Sequence, residues 1–200
     1  MPTGVAIRDP REQLFDAAER VLLRDGPSAL TSRAVTTEAG CAKGVLHRHF
    51  ADFDAFLAAL VLDRAGRVED QAGMLRESAG TGTVAGHVGA ALVTLFSPVA
   101  VEIVALLTFR DRLRARLRAA GVTGSARIPV LTEATAMIAG YLAAERDLGR
   151  VAADADVDTL AFTLIGAGHL LFADRTGPAP EPETVHKTVT TVLAGVLPRT

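Results

Sequence analysis

A single cysteine, Cys41, in 200 residues leaves no intrachain disulfide to form, so nothing points to a secreted, disulfide-framed scaffold. Tryptophan is absent, tyrosine occurs once, and aromatics make up 4% of the chain against 49% hydrophobic residues overall. The core is therefore expected to be aliphatic and alanine-rich, which favours helices. No strand-like alternation or β-branched run is long enough to argue for a sheet. No apolar run reaches the ~18 residues of a membrane span, and the longest candidate, Val99 to Phe109, is interrupted by Glu102. The opening residues, MPTGVAIRDP, lack a signal-peptide apolar core, so the chain reads as cytoplasmic, with no membrane partner. Charge of one sign is also scarce. A net charge of −2 excludes a non-specific nucleic-acid coat, but not a specific binder whose basic groups sit on one face. No nucleophile elbow or metal-ligand spacing is present, and His87 and His169 stand isolated. The stretch Gly80 to Gly86, GTGTVAG, lacks both the preceding strand and the spacing of a nucleotide loop. No cofactor, no metal and no enzymatic activity are expected.

What is present centres on Thr31 to Phe50, TSRAVTTEAGCAKGVLHRHF. Thr31 is an N-cap whose hydroxyl can satisfy a free amide at a helix start. A first helix runs from Ser32 to about Ala39. Gly40 takes the left-handed conformation that ends it. Cys41 and Ala42 turn the chain, and a second helix runs from about Lys43 to His49. Ala34, Val35, Ala39, Cys41, Val45, Leu46 and Phe50 supply apolar contacts; Cys41 reads as a small apolar filler. Lys43, Gly44, His47, Arg48 and His49 are left outward, a short basic face suited to a major groove. Upstream, REQLFDAAERVLLRDG places Leu14, Ala18, Val21 and Leu22 on one side of a helix closed by Gly26 and Pro27. Downstream, Asp52 caps a long helix carrying Phe53, Phe56, Leu57, Leu60 and Val61. From Arg8 to Phe50, seven Lys/Arg face six acids, so basic groups must be sorted by side rather than number. Arg8 and Arg11, at the arm Met1 to Pro10, are either phosphate contacts or part of a solvated end.

The order D-A-A-E-R-V-L-L-R-D-G-P-S-A-L-T-S-R-A-V … E-A-G-C-A-K-G-V-L-H-R-H-F resembles the DNA-binding domain of the tetracycline-repressor (TetR) family of bacterial transcription regulators, over about Arg8 to Val68. The resemblance implies an all-α fold of about nine helices. An N-terminal three-helix helix-turn-helix domain, residues 8–68 with the motif at 31–50, would be followed by a C-terminal effector-binding and dimerisation domain, residues 69–200. It implies double-stranded operator DNA, a small-molecule effector and a second copy of the chain as partners. Carried over residue by residue, Thr31, Ser32 and Arg33 open the first motif helix, where phosphates and sometimes a base are touched. Lys43, Gly44 and Val45 open the base-reading helix. His47 stands where a phosphate-anchoring tyrosine is usual, Arg48 can reach phosphate or a guanine edge, and His49 matches a backbone contact. Phe53 stands where many members carry a lysine, so that contact is lost or moved to Arg48.

The rest of the chain reads as further helices. Phe53 to about Arg76 is the lever between ligand and DNA by the same resemblance. Val84 to Phe96 follows, then Val99 to Ala120, whose Arg110, Arg112, Arg114, Arg116 and Arg118 are spread around the helix by two-residue spacing and read as a solvated end. Ile128 to Asp147, Val157 to Ala173 and Glu183 to Leu197 complete the body. Phe96, Glu102, Leu106, Phe109, Met137 and Tyr141 are candidate walls of an apolar effector pocket, for a lipophilic molecule. By the same resemblance, Leu160, Leu164, Gly168, Val185, Val189 and Val192 are candidate dimer contacts, which would present two recognition helices to a palindrome with half-sites roughly 34–36 Å apart. The reading favoured is a repressor released from a palindromic operator by its effector. The alternative is a helical small-molecule-binding protein with a degenerate DNA-reading head.

Overall fold

The computed structural model describes residues 9–42, 44–119, 129–173 and 179–198. Among them are ten α-helices and no strand: α1 (Pro10–Asp25), α2 (Ser32–Glu38), α3 (Gly44–His49), α4 (Phe53–Glu77), α5 (Val84–Leu95), α6 (Pro98–Phe109), α7 (Asp111–Ala119), α8 (Pro129–Asp147), α9 (Val157–Leu171) and α10 (Pro182–Leu193). None of these helices alone is long and apolar enough to cross a membrane.

Local chemistry sets most of the boundaries. Asp9 accepts from the Arg11 amide at 2.9 Å to start α1, with Pro10 just inside the helix. Thr83 and Asp156 cap α5 and α9 through the amides of Gly86 and Thr159, each at 3.1 Å. Gly26 closes α1 at φ 77°.

The single helix expected over Val99 to Ala120 is two, α6 and α7, broken at Arg110. Arginines hold the chain on both sides of the break. Arg110, half-buried, donates to the Leu30 carbonyl at 2.9 Å. Arg114 donates to the carbonyls of Leu107 (2.8 Å) and Thr108, which the break deprives of helical partners. The last helix also ends earlier than expected, at Leu193. The chain then turns so that Ala152 donates to the Val196 carbonyl at 2.8 Å.

The chain forms two compact units, Met1–Leu62 with Glu102–Ala126, and Asp63–Val101 with Arg127–Thr200. In the first, α1 packs on α2 and α2 on α3 around Leu14, Val21, Leu22, Leu30, Val35 and Leu46, all at most 1% exposed. Phe15, Phe50 and Phe56 meet there with ring centroids 5.1–6.0 Å apart. Leu113 and Leu117 of α7 are buried in this unit too.

In the second unit α8 lies on α9, and α10 on α5 and α9. Gly168 is where the packing is tightest. A Cβ there would lie 3.3 Å from Leu92 Cδ2 and closer still to the Phe96 ring, which is stacked on Phe172 at 5.5 Å and has no room to yield. Gly168→Ala is therefore expected to destabilise the unit by about 1–3 kcal/mol. A urea midpoint unchanged from the parent protein would refute this.

Candidate nucleic-acid interface and ligand cavity

The turn between α2 and α3 is built by hydrogen bonds that its sequence dictates. Thr31 Oγ1 accepts from the Ala34 amide at 3.1 Å. At the other end of α2, the Cys41 amide reaches the Thr36 carbonyl (3.0 Å) and the Gly40 amide the Thr37 carbonyl (3.1 Å). That double closure requires a left-handed residue, and Gly40 supplies it at φ 65°. The Thr36 hydroxyl is satisfied by the Ser32 carbonyl at 2.9 Å, so its burial leaves no orphan. Leu46, fully buried, pins α3 against α2.

This packing sorts the cations of the head. Arg20 and Arg24 both bind Glu38, each at 2.7 Å, tying α1 to α2 and holding the Glu38 carboxyl below the usual carboxylate range, Arg20 first. Arg11 lies over the Phe50 ring, 4.9 Å from its centroid. Arg33 and Arg48 are exposed and have no partner among the described residues. His47 and His49 are exposed on α3 beside Arg48, and Gly44 is exposed at its start. Of the other expected DNA-reading residues, Thr31 is exposed, Val45 is half-buried, and Lys43 lies outside the described residues. The Ser32 hydroxyl oxygen is shielded from solvent and has no partner among the described residues.

The α7 arginines do something that sequence spacing did not reveal. Arg116 grips Asp52, the N-cap of α4, with both carboxylate oxygens at 2.8 Å, and Asp52 in turn accepts from the Ala55 amide at 2.6 Å. Arg116 first, then that amide, hold the Asp52 carboxyl below its ordinary value. The Arg110 guanidinium sits 5.8 Å from the Phe53 ring centroid. Their partners lie tens of residues away along the chain, a distance no local pattern reports.

In the second unit a cavity of about 260 Å³ is lined by Gln71, Met74, Leu75, His87, Ala90, Ala91, Thr94 and Met137. Of the six residues expected to wall a pocket, only Met137 does so here. Phe96 packs under Gly168, Leu106 is fully buried, Glu102 is 8% exposed, and Phe109 stands 80% exposed. Tyr141 is fully buried behind the cavity and holds its wall: its hydroxyl donates to Glu145 Oε1 at 2.6 Å and lies 2.9 Å from His87 Nδ1. A hydroxyl that donates to the carboxylate accepts from the imidazole, which places a proton on Nδ1. Burial, then the bond to Glu145, raises the Tyr141 pKa above the ordinary phenol value. Glu145 is itself fully buried and also accepts from the Gly80 amide (3.3 Å) and pairs with Arg150 (3.4 Å). Tyr141 and Glu145 stand four apart on α8, a spacing visible in sequence; His87 joins them from across the unit.

Four of the six expected dimer contacts are buried within one chain. Leu164, Val185 and Val189 are 0–2% exposed within one chain, and Gly168 is filled by Phe96. They serve the subunit's own core because α9 and α10 turn those faces onto α5 and α8. Leu160 and Val192 are half-buried. The outward face of α9 instead carries Phe162 (59% exposed), Gly166 and Leu170 (78%) at steps of four.

Residues 14–60 match the family model of bacterial regulatory proteins, tetR family. No curated protein matches the chain. Among solved structures, Escherichia coli NemR in its reduced form is 15% identical with a TM-score of 0.73, covering 96% of this chain and 100% of that one. A Mesorhizobium loti protein assigned to the TetR family of transcriptional regulators is 17% identical with a TM-score of 0.63, covering 94% and 97%. A gamma-butyrolactone receptor described as ArpA-like is 21% identical with a TM-score of 0.62, covering 94% and 88%. Residues 14–60 thus carry the family's own domain, and nearly the whole length of the chain shares the fold of solved structures that include a tetR-family regulator.

Proposed function

We propose that the chain represses transcription by binding a palindromic operator as a homodimer, and leaves it when a small, largely apolar molecule occupies the cavity of the second unit. The observation that carries this reading is the sorting of charge on the head. Arg20 and Arg24 are consumed by Glu38, while Arg33 and Arg48 stand exposed on the two motif helices and unpaired among the described residues, with His47 and His49 beside Arg48. Arg33 and Arg48 suit phosphate oxygens or a guanine edge, and Gly44 with Val45 allows close approach to base edges.

Apolar walls from Met74, Leu75, Ala90, Ala91 and Met137, with Gln71, His87 and Thr94 as the polar contacts, favour a lipophilic effector carrying one or two hydrogen-bonding groups. The receptor among the structural relatives is named for such a small molecule, a gamma-butyrolactone. Gln71, Met74 and Leu75 belong to α4, whose first residue follows the recognition helix by four positions. An effector that prefers one placement of α4 would shift the DNA-binding equilibrium by its differential affinity.

Selection of duplexes from a random pool tests the DNA reading. An inverted repeat should emerge and resist competitor DNA at fixed salt; recovery of no preferred sequence would support the alternative of a small-molecule binder with a degenerate head. Dimerisation is assigned to the outward face of α9. Phe162→Glu with Leu170→Glu is expected to halve the mass seen by analytical ultracentrifugation and to abolish binding to the palindrome. A dimer that survives both substitutions would rule that face out.

A further inference from the structure

Within the first unit α7 and the arginine just before it are docked at two places that flank the motif helices. Arg110 holds the carbonyl of Leu30, the residue before the Thr31 cap of α2. Arg116 holds Asp52, three residues beyond His49, the last residue of α3. Three residues of chain span at most about 11 Å, which an arginine side chain and a phosphate together bridge.

The sequence that opens α4 has no countercharge of its own. Between Ala51 and Asp63 there is no lysine or arginine, and Asp52 and Asp54 stand directly after the recognition helix. Unopposed, they would repel the phosphates that flank a bound half-site. The rotation of α7 decides what opposes them. Leu113 and Leu117 are buried and fix the inner seam. Arg116 lies on one flank of that seam and Arg112, four residues earlier, lies on the same flank one turn away. Arg112 is exposed and has no partner among the described residues. Arg114 and Arg118 fall on the other flank, where Arg114 is spent on Asp111 and the α6 carbonyls.

Resting on the DNA-reading role of α2 and α3, we propose that Arg112 and Arg116 of α7 form a phosphate-binding edge beside the recognition helix, so that the operator interface extends to a segment some sixty residues beyond the motif. Arg116 neutralises Asp52, and Arg112 is an exposed guanidinium with no carboxylate partner among the described residues. Duplex DNA is the occupant because a guanidinium left open beside the basic residues of α3 carries the sign that phosphates require.

The test uses duplexes recovered from a random pool by the full-length protein, with Kd measured over a range of salt. Arg112→Ala is expected to weaken binding about threefold to tenfold at low salt and to reduce the slope of log K against log salt by about one per protomer, with sequence preference intact. Arg112→Lys should restore most of the loss. Asp52→Asn keeps an oxygen for the Ala55 amide but frees Arg116, and should tighten binding. The inference is overturned if Arg112→Ala and Arg112→Glu leave both Kd and slope unchanged while Arg48→Ala still weakens binding to the same duplexes. A protein that recovers no preferred duplex at all overturns it together with the DNA reading beneath it.

Discussion

Glu145→Ala is expected to cost the second unit about 3–5 kcal/mol of stability, the scale for removing one partner from a buried charged cluster. Glu145 is fully buried, and three donors converge on it: the Tyr141 hydroxyl, the Gly80 amide and Arg150. Arg150 is partly exposed and also donates to the carbonyls of Thr81 (3.1 Å) and Gly82 (2.6 Å), so it can fall back on those and on water. Tyr141 cannot, because it is wholly buried and would keep only His87. The loss is therefore dominated by orphaned donors and the vacated space, not by the ion pair itself. Thermal denaturation should place the midpoint lower by roughly 10 °C. Glu145→Gln, which keeps the shape and one acceptor oxygen, should lose less than half as much. Equal losses for the two variants would mean that charge, and not hydrogen bonding, holds the cluster. A loss below about 1 kcal/mol for Glu145→Ala would show that the cluster is dispensable. His87 lines the cavity and takes its orientation from Tyr141, so the same substitution should also weaken effector binding.

The motif was legible in sequence because its signals are local. Thr31 caps and Gly40 terminates α2 through bonds within a few residues of each, and Leu46 marks the inner face of α3 by period alone. What was hidden depended on distant partners. Nothing near Arg110 is a helix breaker; at the break Arg110 holds a carbonyl at Leu30, which composition cannot report. The α9 helix is apolar on more than one side, and period 3.6 does not say which side meets α5 and α8 and which meets solvent. That ambiguity put Leu164 and Val189 at an interface and left Phe162 and Leu170 unremarked. Two-residue spacing likewise made the α7 arginines look evenly solvated. Once Leu113 and Leu117 fix the helix rotation, the same spacing divides them into two flanks with different work.

The double variant Arg33→Ala/Arg48→Ala is expected to weaken operator binding by about 2–4 kcal/mol, roughly 30- to 1,000-fold, with no loss of thermal stability. Both side chains are exposed and unpaired among the described residues, so removing them leaves no orphaned partner in the fold. The two single variants separate their roles. Arg33 begins the helix that precedes the reading helix, a position suited to phosphate, so its loss should weaken all sequences alike and flatten the salt dependence by about one per protomer. Arg48 lies on α3 between two exposed histidines. If it reads a guanine edge, its removal relaxes preference at a single base pair of each half-site while preference elsewhere in the half-site survives. If it binds phosphate, the salt slope falls and preference is kept. His47 adds a condition on either outcome. If its ring donates to a phosphate, His47→Ala should weaken binding to all sequences alike and lower the salt slope, with preference intact. An unchanged Kd and slope in that variant would remove His47 from the contact set and leave Arg33 and Arg48 as the charged core of the interface.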